Sequence, residues 1–188
     1  MVGYMKGKKL YGLIYRKPES LKCIDYCDAN YATNVDDRKS VSGAVYTVGG
    51  MVTGWSSKTQ HTTSLSSTES EYIALSHCIQ DTIFRRNLLN EITSHEDPAI
   101  IYEDNEGAIF LTKNQQVSMR TKHIDVRAHF IRDCIKAKSA IVKKVKTENN
   151  VSDVMTKNCD VATVEKHVNR ILDGKVECVQ CVEGRMSD

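Results

Sequence analysis

The order in which strand-like and helix-like segments follow one another constrains the fold of this chain more than any other feature. Three segments with strand character come first, at residues 21–28, 42–48 and 52–57, and Gly49-Gly50 between the last two is typical of a hairpin turn. A long helical segment follows, and after it come a strand, further helices, a second strand and a final helix. Three antiparallel strands followed by strands that alternate with helices predict an α/β domain built on a mixed sheet.

The helices are predicted from the spacing of their apolar residues. The longest covers about residues 68–92 and carries apolar side chains at every third or fourth position. These are Tyr72, Leu75, Ile79 and Ile83, with Leu88 and Ile92 continuing the same side. After it, a strand is predicted at 99–103, an amphipathic helix at 125–136, a strand at 140–146 and a last helix near Asn150.

Length and composition are those of a single domain with a hydrophobic core. The chain has 188 residues, of which 40% are hydrophobic and 27% charged, and its formal net charge is +2. No apolar run approaches the roughly 20 residues that span a bilayer, and residues 1–9 lack the apolar core of a signal peptide. Seven cysteines, an odd number, favour reduced thiols over a disulfide framework. We therefore expect an intracellular protein, cytoplasmic or nuclear, with no membrane partner.

Four acidic residues lie in settings that suggest a shared site. They are Asp28 at the end of the first strand, Glu71 in the first turn of the long helix, Asp104 after a strand, and Asp153 near the start of the last helix. Clustered carboxylates repel one another, so a fold that gathers them needs cations, and Mg²⁺ prefers oxygen ligands. Two such ions, about 3.5–4 Å apart, can hold the attacking and leaving oxygens of a phosphodiester. A metal-dependent nuclease is therefore the leading hypothesis.

Each of these acids also has a purely structural interpretation. Asp28 fits a turn at a strand end, Glu71 fits the reciprocal partner of Thr68 in a capping box, and the other two fit helix N-caps. Taken together they favour a site, because Asp28 and Asp104 both end strands, and ligands in open sheets bind beyond the carboxyl ends of strands. Glu71 and Asp153 begin helices that can approach those ends.

Glu69 competes with Glu71 for the position in the site. The two residues are two positions apart on a helix, so their side chains point roughly 200° apart and only one of them can face the other acids. Glu71 is the better candidate, because its face continues to Leu75 and Cys78 in the predicted core. Glu69 is expected to remain in solvent as a cap.

Seven short motifs follow one another along the chain. They are Tyr-Cys-Asp-Ala-Asn-Tyr-Ala, Asp-Asp-Arg-Lys-Ser-Val-Ser-Gly, Trp-Ser-Ser-Lys-Thr-Gln, Leu-Ser-Ser-Thr-Glu-Ser-Glu-Tyr, Tyr-Glu-Asp-Asn-Glu-Gly-Ala-Ile, Arg-Thr-Lys-His-Ile-Asp-Val-Arg and Ser-Asp-Val-Met-Thr-Lys. In this order, over roughly residues 4–157, they resemble the ribonuclease H region of copia-type retrotransposon Pol polyproteins. The resemblance implies a ribonuclease H-like fold, an α/β domain whose mixed five-stranded sheet has three antiparallel strands, then two parallel ones, flanked by helices.

The resemblance also implies a reaction, its cofactors and its partners. In that family the four acids of the site fall where Asp28, Glu71, Asp104 and Asp153 stand here. They would hold two Mg²⁺ ions, or Mn²⁺, and hydrolyse the RNA strand of an RNA–DNA hybrid. The expected partners are this hybrid and, within a polyprotein, an upstream reverse transcriptase region.

The resemblance divides the chain into three parts. Residues 1–20 resemble the connection from an upstream reverse transcriptase, residues 21–158 form the ribonuclease H-like domain, and residues 159–188 remain unassigned. A Met1 within the connection implies a fragment of a longer protein. Asn30 departs from the family pattern, in which an acid is usual at this position.

Basic residues near the motifs are weaker candidates for contacts with a nucleic-acid backbone. They are Lys58, Arg120, Lys122, His123 and Lys157. His123 also fits a general acid that assists product release, or a structural cap of the following helix. Trp55, the single tryptophan, is expected in the core.

Other functions are compatible with parts of the sequence. A catalytically idle or domesticated remnant would only bind nucleic acid or a protein partner, although the intact set of four acids argues against decay. An integrase or transposase would carry three acids in the order Asp, Asp, Glu, whereas here a glutamate precedes two aspartates. Cys178 and Cys181 have zinc-knuckle spacing but lack a second ligand pair.

Overall fold

The structure, a computed structural model, describes residues 12–94, 97–114 and 122–172, without the side chains of residues 122–124. Within this part, five strands form one sheet: β1 (Ile24–Asn30), β2 (Val41–Val48), β3 (Met51–Thr59), β4 (Ala99–Glu103) and β5 (Ala140–Lys144). The helices are α1 (Ser67–Thr93), α2 (Glu106–Lys113), α3 (Lys122–Lys136), α4 (Asp153–Thr156) and α5 (Val161–Leu172), and a 3₁₀ turn spans Thr147–Asn149. Arg120, Cys178 and Cys181 lie outside the described residues.

The sheet has the strand order β3-β2-β1-β4-β5. β2 pairs antiparallel with both β1 and β3, whereas β4 pairs parallel with both β1 and β5. This confirms the predicted mixed sheet of three antiparallel strands followed by two parallel ones. Gly49 and Gly50 connect β2 to β3 with positive φ angles of 58° and 79°, a conformation that glycine adopts without strain and that a tight hairpin turn requires.

One face of the sheet is covered by α1, α2 and α3. The core on this face includes Cys27, Tyr46, Tyr72, Leu75 and Ile79. The last turns of α1 differ from the prediction, because Leu88 and Ile92 are exposed. Both side chains instead line an open pocket beside Val48 of β2 and Thr53 of β3.

The opposite face is covered by α4, α5 and residues 13–15. Its core contains Tyr26, Val45, Val52, Tyr102, Val145, Val151 and Ile171, with Leu13 packed against it. The Ile14 N–H donates to the carbonyl of Leu172 at 3.0 Å, and the Tyr15 hydroxyl donates to the carbonyl of Val52 at 2.8 Å. Residues that precede β1 and residues that follow α4 thus complete the same side of the core.

Helix α5 was not predicted from the sequence, which assigned no element to residues 159–188. Its signal is the helical spacing of Val164, Val168 and Ile171, which follow one another at intervals of four and three residues. The structure places this apolar side against the sheet, next to Val45 and Val52.

Trp55 does not lie in the core, so its predicted burial was wrong. The residue is 62% exposed on β3, one of the two edge strands of the sheet. An edge strand has a neighbour on one side only, and a large side chain there remains accessible from the open side.

The cysteines of the described residues are all free thiols. They are Cys23, Cys27, Cys78, Cys134 and Cys159. Across residues 12–94, 97–114 and 122–172, no helix combines the length and the apolar character that crossing a membrane requires.

Replacing Ile171 by alanine is expected to destabilise the protein by about 2 kcal/mol or more, because the change removes buried apolar surface and leaves a cavity beneath α5. Ile171 is 9% exposed, whereas Val161 on the same helix is 75% exposed. Val161→Ala is therefore the matched control and should change the free energy of unfolding by no more than about 0.5 kcal/mol. Urea unfolding measures both variants. Equal stabilities would show that α5 adds nothing to the core.

Candidate metal centre

Asp28 and Asp104 are neighbours because β1 and β4 run parallel. The register pairs Tyr26 with Tyr102, and continuing it by two residues brings Asp28 level with Asp104. Asp28 lies in the second half of β1 and Asp104 directly follows β4, so both carboxylates lie at the carboxyl ends of their strands. The Asp28 side chain is fully buried, and Asp104 is half-buried.

The short helix α4 brings Asp153 to the same place. Two hydrogen bonds attach this segment to β1: the Asn150 amide donates to the carbonyl of Cys27 at 2.9 Å, and the Asn30 amide donates to the carbonyl of Thr156 at 3.1 Å. An ionised acid at position 30 could not donate such a bond. The departure from the family pattern at Asn30 therefore has a structural role here.

Glu71 enters the site from the second turn of α1. The helix begins earlier than predicted, with Ser66 as its N-cap: the Ser66 hydroxyl accepts the N–H of Glu69 at 3.1 Å, and the Glu69 carboxylate accepts the N–H of Leu65 at 2.8 Å. The predicted capping box of Thr68 and Glu71 was therefore wrong, and the predicted capping role of Glu69 is confirmed. Glu71 takes no part in the N-cap, and its side chain is buried.

Glu103 is a fifth carboxylate of the site, and the sequence analysis did not single it out. It is the last residue of β4 and is fully buried. One of its oxygens accepts the N–H of Asn105 at 3.0 Å, and the other accepts the thiol of Cys27 at 3.1 Å. Alternation along β4 is the signal that could have found it, because Glu103 shares the face of Ile101, which lies in the core beneath α1.

The five carboxylates form two groups that meet at Asp104. Oxygens of Asp28, Asp104 and Asp153 lie within 4.8 Å of one another, and so do oxygens of Glu71, Glu103 and Asp104. The first group includes the start of α4 on one side of the sheet, and the second includes α1 on the other. The structure thus brings together all four acids singled out from the sequence and adds Glu103. Their role as ligands stays a prediction.

Burial and mutual repulsion raise the pKa values of three of these carboxyl groups. For Glu71, burial is the largest cause, and the charges of Glu103 and Asp28 add to it. Burial is also the main reason that the pKa of Glu103 is raised. The pKa of Asp153 is raised to about 6 by burial and by Asp28. Without a cation, these carboxyl groups therefore take up protons at a higher pH than exposed carboxyl groups do.

A divalent cation fits this arrangement. Every clustered donor is a carboxylate oxygen, the ligand that hard cations prefer. The Oε2 atom of Glu71 is buried and finds no hydrogen-bond partner among the described residues, so a ligand atom is available in the second group. A cation would also favour the ionised carboxylates and so reverse the pKa shifts that burial produces.

One ammonium group already lies inside the cluster. Nζ of Lys157 is 2.9 Å from Oδ1 of Asp28 and 3.0 Å from Oδ1 of Asp153. The Thr156 hydroxyl donates to Oδ2 of Asp28. Burial acts to lower the pKa of the Lys157 ammonium, but the two carboxylates raise it above its ordinary value, so the group stays charged. Lys157, one of the residues predicted to contact nucleic acid, thus lies among the acids.

The remaining basic residues predicted to contact nucleic acid stay predictions. Lys58 is exposed on β3, beside a cleft of about 210 Å³ that His61 and His77 also line. Lys122 and His123 begin α3, and their side chains are not among those described.

The strand order and the position of the acids define a ribonuclease H-like domain. Among solved structures, the LC11 ribonuclease H1 isolated from compost matches with a TM-score of 0.51 and 17% sequence identity, over 84% of this chain and 99% of that chain. The foamy viral protease–reverse transcriptase matches with a TM-score of 0.54 and 12% identity, over 77% of this chain and 21% of that chain. These similarities establish the fold.

Sequence relatives place the domain within a larger protein family. The chain is 40% identical over 132 residues to the retrovirus-related Pol polyprotein from transposon TNT 1-94 of Nicotiana tabacum. The aligned residues cover 70% of this chain and 10% of that protein. The chain is 34% identical over 157 residues to the corresponding polyprotein from transposon RE2 of Arabidopsis thaliana, or 82% of this chain and 11% of that protein. No protein-family model matches the chain. The chain is homologous to the Pol polyproteins of copia-type retrotransposons and spans about a tenth of the length of these relatives.

Proposed function

We propose that this protein is a ribonuclease H that hydrolyses the RNA strand of RNA–DNA hybrids with divalent cations, Mg²⁺ in the first place and Mn²⁺ as a substitute. The observation that carries the proposal is the convergence of five carboxylates, from β1, β4, α1 and α4, at strand ends of a ribonuclease H-like sheet. Such a cluster is stable when cations neutralise it. The homology to transposon Pol polyproteins supports the same function.

Each of the two carboxylate groups would hold one cation. Asp28, Asp104 and Asp153 would supply ligands to one, and Glu71, Glu103 and again Asp104 to the other. When bound, such cations activate a water molecule and stabilise the leaving 3′-oxygen. The protein's own contribution is to hold the carboxylates of Asp28, Asp153 and Glu103 with hydrogen bonds, so that the scissile phosphate would meet them in one fixed arrangement.

Two proteins of the same fold support the proposed substrate class. LC11 ribonuclease H1 and the foamy viral protease–reverse transcriptase have both been solved in complex with an RNA/DNA hybrid. For this chain, selection of the RNA strand would depend on its 2′-hydroxyl groups and on the groove shape of the hybrid. Lys58, Arg120, Lys122 and His123 would contact the phosphate backbone. Within a polyprotein, the domain would act beside a reverse transcriptase.

Cleavage of a labelled RNA–DNA hybrid by the purified chain tests the proposal. We expect cleavage of the RNA strand with Mg²⁺, none with EDTA, and none of DNA duplexes of the same sequence. Asp28→Asn should be inactive under all conditions and serves as the control for contaminating nucleases. Cleavage that persists in EDTA or in Asp28→Asn would contradict the proposal. Binding of the hybrid without cleavage would favour the remnant that only binds nucleic acid.

Mg²⁺ binding is expected to release protons near neutral pH. The raised pKa values, about 6 for Asp153 and about 8 for Glu103, leave part of the cluster protonated between pH 6 and pH 8. Because cations bind ionised carboxylates, the apparent affinity for Mg²⁺ should rise as pH increases through this window and fall as pH decreases. Calorimetry in two buffers of different ionisation enthalpy counts the protons. Binding at pH 7 without proton release would contradict the raised pKa values.

A further inference from the structure

Both oxygens of the Asp28 carboxylate are occupied by donors from the end of α4. Nζ of Lys157 is 2.9 Å from Oδ1, and the Thr156 hydroxyl donates to Oδ2. The same ammonium is 3.0 Å from Oδ1 of Asp153. Asp28 and Asp153 are two of the three members of one carboxylate group, which is completed by Asp104. The ammonium therefore lies where a divalent cation that uses this group would have to bind.

The ammonium compensates for the burial of two carboxylates. The Asp28 side chain is fully buried and that of Asp153 is 10% exposed, whereas that of Lys157 is 34% exposed. Among the described residues, Lys157 is the cation that contacts both carboxylates, and removing its charge would leave them uncompensated, which strongly destabilises a fold. The lysine stem is long and flexible, and the side chain is partly exposed, so the ammonium can move into solvent without a change in the backbone.

We propose that Lys157 is the built-in counter-cation of the cation-free site, and that a divalent cation binds by displacing its ammonium from Asp28 and Asp153. This inference rests on the proposed function and deepens it, because it names the residue with which the cation competes. The exchange changes no covalent bond, and the ammonium keeps its proton. After displacement, Lys157 remains tethered at the edge of the site, where a backbone phosphate of the substrate can become its partner.

Lys157→Met tests the exchange, because methionine has a similar length and no charge. The full chain is melted in EDTA, and its affinity for Mg²⁺ is measured by calorimetry. We expect a lower melting temperature than wild type in EDTA, and a Kd for Mg²⁺ lower by about tenfold or more, since the cation no longer displaces two charge-assisted contacts. Lys146→Met, at an exposed lysine without an ion pair among the described residues, controls for the loss of one positive charge. It should match wild type in both measurements.

The outcomes separate the exchange from the proposed function. Equal Mg²⁺ affinities in wild type and Lys157→Met would overturn the exchange while leaving a Mg²⁺ site in place. An unchanged melting temperature of Lys157→Met in EDTA would also overturn the exchange. If neither protein binds Mg²⁺, the proposed function fails together with the exchange. If Lys157→Met is unfolded in EDTA, recovery of the fold by Mg²⁺ supports the exchange, and failure to recover overturns it. Lys157→Arg retains the charge and should bind Mg²⁺ no more tightly than wild type.

Discussion

Replacing Glu71 by glutamine is expected to lower Mg²⁺-dependent cleavage of an RNA–DNA hybrid by at least about 100-fold. Glu71 is buried beside Glu103 and Asp104, and its Oε2 atom lacks a hydrogen-bond partner among the described residues. The amide preserves the size of the side chain but removes the negative charge that a cation requires. Single-turnover cleavage of a labelled hybrid at saturating enzyme measures the loss without interference from product release.

Glu69→Gln is the matched control for this substitution. Glu69 lies two residues earlier in the same helix, and its carboxylate accepts the N–H of Leu65, a bond that an amide oxygen can also accept. We expect full activity and a loss of stability below about 1 kcal/mol. An inactive Glu69→Gln beside an active Glu71→Gln would mean that the wrong glutamate has been assigned to the cation.

Replacing Asp104 by asparagine is expected to remove most of the stabilisation that Mg²⁺ confers on the protein. Asp104 belongs to both carboxylate groups, so its loss weakens both proposed cation sites at once. Without cations the variant should be at least as stable as wild type, because it relieves repulsion among neighbouring carboxylates. A ligand that binds only the folded state at 100 times its Kd stabilises that state by about 2.7 kcal/mol. Melting curves in EDTA and in millimolar Mg²⁺ measure this difference.

Asp133→Asn provides the comparison for Asp104→Asn. Asp133 is exposed on α3, and its side chain belongs to neither carboxylate group. The variant should respond to Mg²⁺ as wild type does. Equal shifts in melting temperature for Asp104→Asn and wild type would show that Asp104 is not a ligand of the cation.

Patterns within short stretches of sequence predicted the strands and the long helix and singled out four of the five clustered acids. The strand character of residues 21–28 and 42–48, the Gly49-Gly50 turn and the helical spacing in α1 are local signals, and the structure confirms the elements that they predict. Glu71 was preferred over Glu69 because helical geometry relates each position to the buried side, and the structure places Glu71 inside and Glu69 at the cap. Such inferences hold because they depend only on backbone periodicity.

Packing between distant segments decided the rest. Glu103 belongs to the site because α1 lies over that face of β4, and Lys157 lies among the acids because Asn30 and Asn150 attach the α4 segment to β1. The open edge of β3 left Trp55 exposed, and the apolar face beneath α5 gave residues 161–172 a place to pack. These outcomes depend on distances between residues that are far apart in sequence. The periodicity of one segment contains no information about which other segment will lie against it.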